Sequence, residues 1–485
     1  MTPLRTIRDL RKAEEGTILV FWAMCLGMFL GIVALSFDLG RVGITQTELQ
    51  AYADNVALAA AGELDGRDDS IIRARAAAAT LITDWQSFGS EGNVLAGSDD
   101  YTLTFFRTLP DNDTDALTDV TTDPRKAAYV RATATANTVD MTFAAAFAGL
   151  TGHEDRDVVV NASAVAGFTQ YACDITPLMF CLPNADYTAD AHIGDMILLR
   201  SGGNGAAWGP GDFGFLDPAK IKVDPNGPCA GLNGQKLDSC LMGAIGSITQ
   251  CFAQNGVDIE PGQKVGIEDA MFNVRFDIFK ATMNGAKNDP DYAPAPNVIK
   301  GIVPKNGNGA CIGNSEEASP DTVGLPRDTC FASGTCTRFG DGNWSRTEYV
   351  AKNYGGVDPH PSATTRFAYY KAEIAAAEAR GAGSDILSGL SETGRPQCSN
   401  QMAASANRRV VVAAGIDCTT YGIGGAAKGV PVEEFFEIFL TEPVGDDGNS
   451  PPTLDLWGEI VGSASNDGGG SATTASFRDV VQLYR

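Results

Sequence analysis

The side chains best suited to ligating a metal, exchanging thiols or attacking a bond are cysteine and histidine, and this 485-residue chain holds eleven of the first and three of the second. Cys25 lies in a run of apolar residues. The others, Cys173, Cys181, Cys229, Cys240, Cys251, Cys311, Cys330, Cys336, Cys398 and Cys418, all follow residue 170. No C-x-x-C occurs, and His153, His192 and His360 are remote from one another in sequence. That spacing favours neither a zinc site nor a redox pair. An even set of cysteines in an exported segment reads instead as up to five disulfides, each contributing roughly 2 to 4 kcal/mol. Their pairing stays open, with Cys330 and Cys336 close enough for a local bridge.

Carboxylates are the remaining source of acid–base chemistry. With 60 Asp and Glu, adjacent pairs such as Asp446-Asp447 or Glu433-Glu434 are unavoidable and carry no information. Asp111, Asp113 and Asp115 alternate as in a calcium loop, but Ala116 stands where the turn needs glycine and Thr122 where a bidentate Glu belongs. The nucleophile elbow, the H-E-x-x-H zinc motif and the phosphate-binding glycine loops are all missing from the sequence. The expectation is a protein with no catalytic residue, no metal site and no cofactor, acting by binding.

The strongest positional signal is residues 17–37, an uncharged apolar stretch long enough, at about 1.5 Å per residue, to cross a hydrocarbon core of about 30 Å. Before it stand Arg5, Arg8, Arg11 and Lys12, and after it Arg41 is the next basic residue before Arg67. By the positive-inside rule residues 1–16 are a cytoplasmic basic segment and the rest is exported. Ala34-Leu35-Ser36 offers a signal-peptidase-like site, but the stretch exceeds the usual apolar core of a signal peptide, so an uncleaved anchor is expected. Within it Gly27 and Gly31 form a G-x-x-x-G that lets two helices approach closely, a candidate homo-oligomer contact. Asp38 and Arg41 read as a solvated helix end. The net charge of −24 argues against nucleic acid as a partner.

Downstream, Leu49, Tyr52, Ala53, Val56 and Ala60 recur at helical steps, with Gln46, Gln50 and Asp54 on another face. One long helix over residues 17–64 is expected, its outer half amphipathic. A second helix is expected over 70–87, strands over 101–107, 127–139 and 158–168, and a short apolar helix over 141–150. From residue 171 the texture turns to Cys, Gly, Pro and Asn. Expected there are strands at 195–200 and 409–414, helices at 235–255 and 364–380, a strand or short helix at 433–440, and an edge strand at 476–484. The fold class is α+β, in four segments: 1–16, the transmembrane helix 17–37, a helix-plus-sheet region 38–170, and a disulfide-stapled periplasmic domain 171–485.

Several of these residues together resemble a known family. Glu15-Gly16, Asp38-Leu39-Gly40-Arg41 and the run Leu49-Gln50-Ala51-Tyr52-Ala53-Asp54-Asn55-Val56-Ala57-Leu58-Ala59-Ala60 look like the N-terminal segment of TadG-like proteins of the bacterial tight-adherence (Flp, type IV) pilus assembly system. Further blocks are similar to the exported part of such proteins: residues 208–216 (WGPGDFGFL), Glu260-Pro261-Gly262, Asn273-Val274-Arg275-Phe276-Asp277, residues 408–414 (RRVVVAA) and 439–444 (FLTEPV). The resemblance implies a membrane-anchored assembly component of the bacterial inner membrane whose partners are other pilus proteins. Two departures bear on it. Phe21 stands where a processed pilin has Glu, and the Asp-x-Ser-x-Ser metal motif of a von Willebrand A domain is not found. A surface adhesin or envelope-binding module is the alternative, and a carboxylate-based periplasmic hydrolase a lesser one.

Overall fold

The computed structural model describes residues 17–88, 94–139 apart from 111 and 113, 141–151, 158–201 apart from 174, 207–216, 226–245, 251–260 apart from 255, 268–305, 310–446 apart from 314 and 315, 454–464 and 476–484. They form two units, Met1–Thr169 with Val480–Arg485, and Gln170–Asp479.

The first unit is organised by α1 (Thr17–Ala61), in which no glycine or proline interrupts the amphipathic half. It is followed by α2 (Ser70–Leu81), β1 (Thr83–Trp85), β2 (Val94–Ala96), β3 (Tyr101–Phe106), β4 (Tyr129–Ala134), β5 (Asn137–Val139), α3 (Thr142–Thr151), β6 (Val158–Val160) and β7 (Ser163–Cys173). β3, β4 and β7 make an antiparallel sheet, and the closing strand Ser476–Leu483 adds to β7 on its other side. Leu49, Tyr52, Ala53, Val56, Ala57 and Ala60 of α1 are buried against Phe105, Val130, Ala132, Ala164 and Ala166 of that sheet. Alanine on both surfaces lets the helix lie close to the strands, and burial of this apolar face holds it there. At Gly167 a side chain would strike the rings of Tyr129 and Tyr484, which cover the strand at this point.

Three expectations need correction here. The helix expected over 70–87 ends at Leu81, because Ile82 turns extended and Thr83–Trp85 pairs with Val94–Ala96. The single strand expected over 127–139 is two: β4 stays in the main sheet, while β5 pairs with β6 in a separate ribbon. The expected strand 158–168 divides likewise at residues 161–162, and its second part runs on to Cys173.

The second unit contains β8 (Leu178–Cys181), β9 (Met196–Ser201), β10 (Asp212–Leu216), α4 (Gly234–Gly243), β11 (Cys251–Ala253), β12 (Val257–Glu260), α5 (Arg346–Tyr354), α6 (Arg366–Arg380), β13 (Val410–Ile416), β14 (Ala427–Val430), β15 (Glu434–Leu440) and β16 (Leu454–Ser463). The pairing closes on itself. β8 lies parallel to β13, which runs antiparallel to β15. β15 then pairs with β16, β16 with β9, and β9, in parallel, with β10, which returns to β8. Alternate residues of all six strands meet in one core: Leu178 and Phe180, Ile197 and Leu199, Phe213 and Phe215, Val411 and Ala413, Phe436 and Ile438, Leu456 and Ile460. The unit is thus a small closed barrel filled by side chains, a feature the sequence reading did not contain. Its outer face is also covered. Val412, Ala414 and Phe435 pack with α4, and Val410 and Phe439 pack with α5 and α6. The helix expected over 235–255 is only α4. Gly243 and Gly246 interrupt the pattern, and Cys251–Ala253 is a strand paired with residues 171–173.

Candidate functional site

The membrane-length part of α1 is apolar, with its side chains exposed over 18–37 apart from the half-buried Ala34, a helix long and apolar enough to cross a membrane. Gly27 and Gly31 lie one turn apart on it, and no atom comes within 4 Å of where a side chain at either would begin. A second helix could therefore approach along that stripe. Cys25 is a free thiol on the same helix.

Where the helix leaves its apolar stretch, the structure overturns one expectation. Asp38 is not a solvated helix end: it is 2% exposed, and its carboxylate accepts the backbone N–H groups of Phe143 and Ala144 at the start of α3. Those first-turn donors have no partner within their own helix, and a carboxylate there both satisfies them and complements the helix dipole. Arg41 donates to the Thr142 hydroxyl and lies over the Phe88 ring. Further along, Gln46 donates to the Asn161 carbonyl at 2.7 Å and Gln50 to the Ser163 carbonyl at 3.1 Å. Gln46 and Gln50 thus fasten α1 to the chain entering and forming β7, Gln50 also bonding Asp54 one turn on, while the apolar residues of the helix pack on the sheet.

In the second unit the sequence blocks converge. Asn273 exchanges two hydrogen bonds with the Val444 backbone. Arg409 is buried, donates to the Leu440, Thr441 and Asn297 carbonyls, and lies over the rings of Phe276, Tyr370 and Phe439. Arg275 donates to the Met242 and Met271 carbonyls, and Arg408 to those of Ala293 and Gly243. Burial pushes Arg275 and Arg409 down to about 10, so both stay charged at neutral pH. Asp277, at φ 64°, takes the N–H groups of Gln397, Cys398 and Ser399. In the block at 208–216 the Trp208 ring sits over Gly214, where a side chain would collide with it, and Pro261 and Gly262 of the block after Glu260 lie outside the described residues. These groups tie loops to the barrel by hydrogen bonds to backbone.

Two charged clusters could suggest chemistry. Burial pushes the Glu373 carboxyl up to about 7, against the pull of hydrogen bonds from Tyr354, Tyr349 and Asn297 at 2.7, 2.8 and 2.7 Å. A carboxyl of that kind could serve as an acid, but it is 2% exposed and all its neighbours are core residues. Arg366, with no exposed surface, joins Asp328 and Glu459, and Glu459 also caps α6 through the N–H groups of Arg366 and Phe367. Asp328, Cys330 and Asp341 are close enough together to suggest a metal site, but the Cys330 sulfur is bonded to Cys336 and Asp328 already accepts from Met196, Asp341 and Gly342. A small hollow is lined in part by Asp277, Lys300, Glu392 and Arg395. Its charges are spent, with Lys300 on Glu392 at 3.3 Å and Arg395 on Glu378 at 2.7 Å. His192 binds Asp195 at 2.8 Å and stacks on Tyr187. His153, Asp111 and Asp113 lie outside the described residues.

Of the ten cysteines after residue 170, eight form four bridges: Cys181–Cys418, Cys229–Cys240, Cys311–Cys398 and the local Cys330–Cys336. The side chains of Cys173 and Cys251 lie outside the described residues, although their backbones stand opposite each other in the β7–β11 register. Two of the four join distant parts of the chain, and no local spacing could have paired Cys181 with Cys418.

No curated protein and no solved structure is found to match the chain. The family model for Flp pilus-assembly TadE/G-like proteins, Tad, does match, over residues 16–63. That span holds the apolar helix, the Gly27/Gly31 stripe, Asp38 and the buried Leu49-to-Ala60 face, so residues 16–63 are the part of the chain that is similar to Flp pilus-assembly TadE/G-like proteins.

Proposed function

We propose that the protein is a structural or assembly component of a Tad/Flp-type pilus, anchored in the bacterial inner membrane by residues 17–37 and working by protein–protein binding without turnover. The observation that carries this reading is the Tad match at residues 16–63 on a helix whose first half is apolar and exposed all round. Arg5, Arg8, Arg11 and Lys12 support a cytoplasmic segment 1–16, and the four disulfides support an oxidising periplasm for residues 38–485. In this arrangement 38–170 is the TadE/G-like helix-and-sheet region and 171–485 the periplasmic domain that meets other pilus proteins. The Gly27/Gly31 stripe is the proposed contact between copies in the membrane. The experiment is a markerless deletion complemented in trans, with surface pili counted by electron microscopy. Loss of pili restored by complementation is the expected result. Normal pili with reduced attachment would replace assembly by surface adhesion.

A further inference from the structure

We propose that α3 is a second membrane element: an apolar helix seated in the lipid headgroup and acyl boundary on the side of the bilayer where the folded units stand. From Met141 to Gly152 the sequence holds no charged residue. Met141 is buried and Ala145 half-buried toward the protein, whereas Thr142, Phe143, Ala144 and Ala146 are exposed, Phe143 by 47%. An exposed, uncharged first turn beside an exposed phenylalanine of α1 needs something to cover it.

What covers it follows from where it is held. Asp38 is the first charged residue after the apolar stretch, and it grips the first turn of α3 through the Phe143 and Ala144 N–H groups. Arg41 holds Thr142 from the next turn of α1. The rings of Phe37, the last residue of the stretch and 62% exposed, and of Phe143 lie 6.0 Å apart. The exposed side of α3 therefore begins at the depth where the lipid-facing surface of α1 ends, and is continuous with it. Ten residues rise only about 15 Å, too short to span the bilayer and suited to its boundary. The Asp38 and Arg41 contacts supply the polar anchoring that an isolated interfacial helix finds in its own charged face.

The inference rests on residues 17–37 spanning the membrane, and the test separates the two. The full chain is reconstituted in phosphatidylcholine and phosphatidylglycerol vesicles with an environment-sensitive fluorophore on one thiol: native Cys25, or Phe143→Cys, Ala146→Cys or Asp69→Cys, each in a Cys25→Ser background. The labelled Cys25→Ser parent sets the baseline. Quenching by lipids carrying a nitroxide near the headgroup should be several-fold greater at positions 143 and 146 than at 69, with iodide quenching reduced to match. Iodide access equal to that at position 69 would overturn the proposal. So would protection from both quenchers, which would mean a protein cover. A Cys25 label that deep nitroxides fail to quench would remove the anchor itself, whereas failure at 143 and 146 alone would remove only this inference.

Discussion

Replacing Cys181 and Cys418 together by alanine should destabilise the second unit more than removing any other described bridge. The two residues are 237 apart in sequence, and the bridge fastens β8 to the end of β13, next to the parallel pair Cys181 and Ile416. If a disulfide acts by restricting the unfolded chain, closing a loop of that length contributes about 5 kcal/mol, against about 2 for the six-residue span of Cys330–Cys336. The bridge between Cys311 and Cys398 shortens the path inside the larger loop, but the dependence is logarithmic and the ranking survives. Both sulfurs are buried, and alanine avoids placing a new polar group in the core. The assay is urea unfolding of the full chain in detergent, followed by the fluorescence of Trp208, Trp344 and Trp457 in the second unit. C181A/C418A should shift the midpoint furthest. A midpoint no lower than that of C330A/C336A would refute the argument that span sets the contribution.

Four other outcomes are expected. Glu373 holds in the folded state a proton that the unfolded chain releases above its ordinary value of 4.5, so stability should fall as pH rises from 4.5 to about 7, by roughly 3 kcal/mol. Glu373→Gln should flatten that slope in pH-dependent thermal melts, and an unchanged slope would assign it elsewhere. Arg366→Ala should cost about 3 to 5 kcal/mol in urea titrations, because Asp328 and Glu459 are left buried without their counter-charge. Asp38→Ala should cost about 1 kcal/mol locally, read as faster hydrogen exchange at the Phe143 and Ala144 amides. Leucine at both Gly27 and Gly31 should lower energy transfer between labelled copies in vesicles if the stripe pairs helices, and unaltered transfer would remove that role.

The long helix was legible because its signal is local: an uncharged stretch, then apolar residues at steps of three and four that are indeed the buried ones. The barrel was not. Several of its strands were expected, Val410–Ile416 at 409–414 among them, but strands buried on both faces carry no alternation to show which side faces which layer. Its closure also depends on partners as remote as Leu178 and Ala413. The same distance hid the role of Asp38, whose partners lie a hundred residues later, and the pairing of Cys181 with Cys418. Residues that looked like blocks of an exported domain, Asn273, Arg409 and Val444 among them, proved to be ties between loops and barrel, and only three-dimensional proximity reveals that.

The strand Ser476–Leu483 sets an order on the folding of the first sheet. Ser476–Leu483 adds to β7, and the Tyr484 N–H donates to the Val165 carbonyl, although some three hundred residues of the second unit lie between them in sequence. In a polypeptide made from its N-terminal end, the first sheet keeps an open edge until residues 476–484 have emerged. A product that stalls anywhere inside the second unit exposes that edge, together with Gly167 bare of the Tyr484 ring. The strand thus distinguishes chains that include residues 476–484 from those cut short before them, a difference that limited proteolysis would read directly.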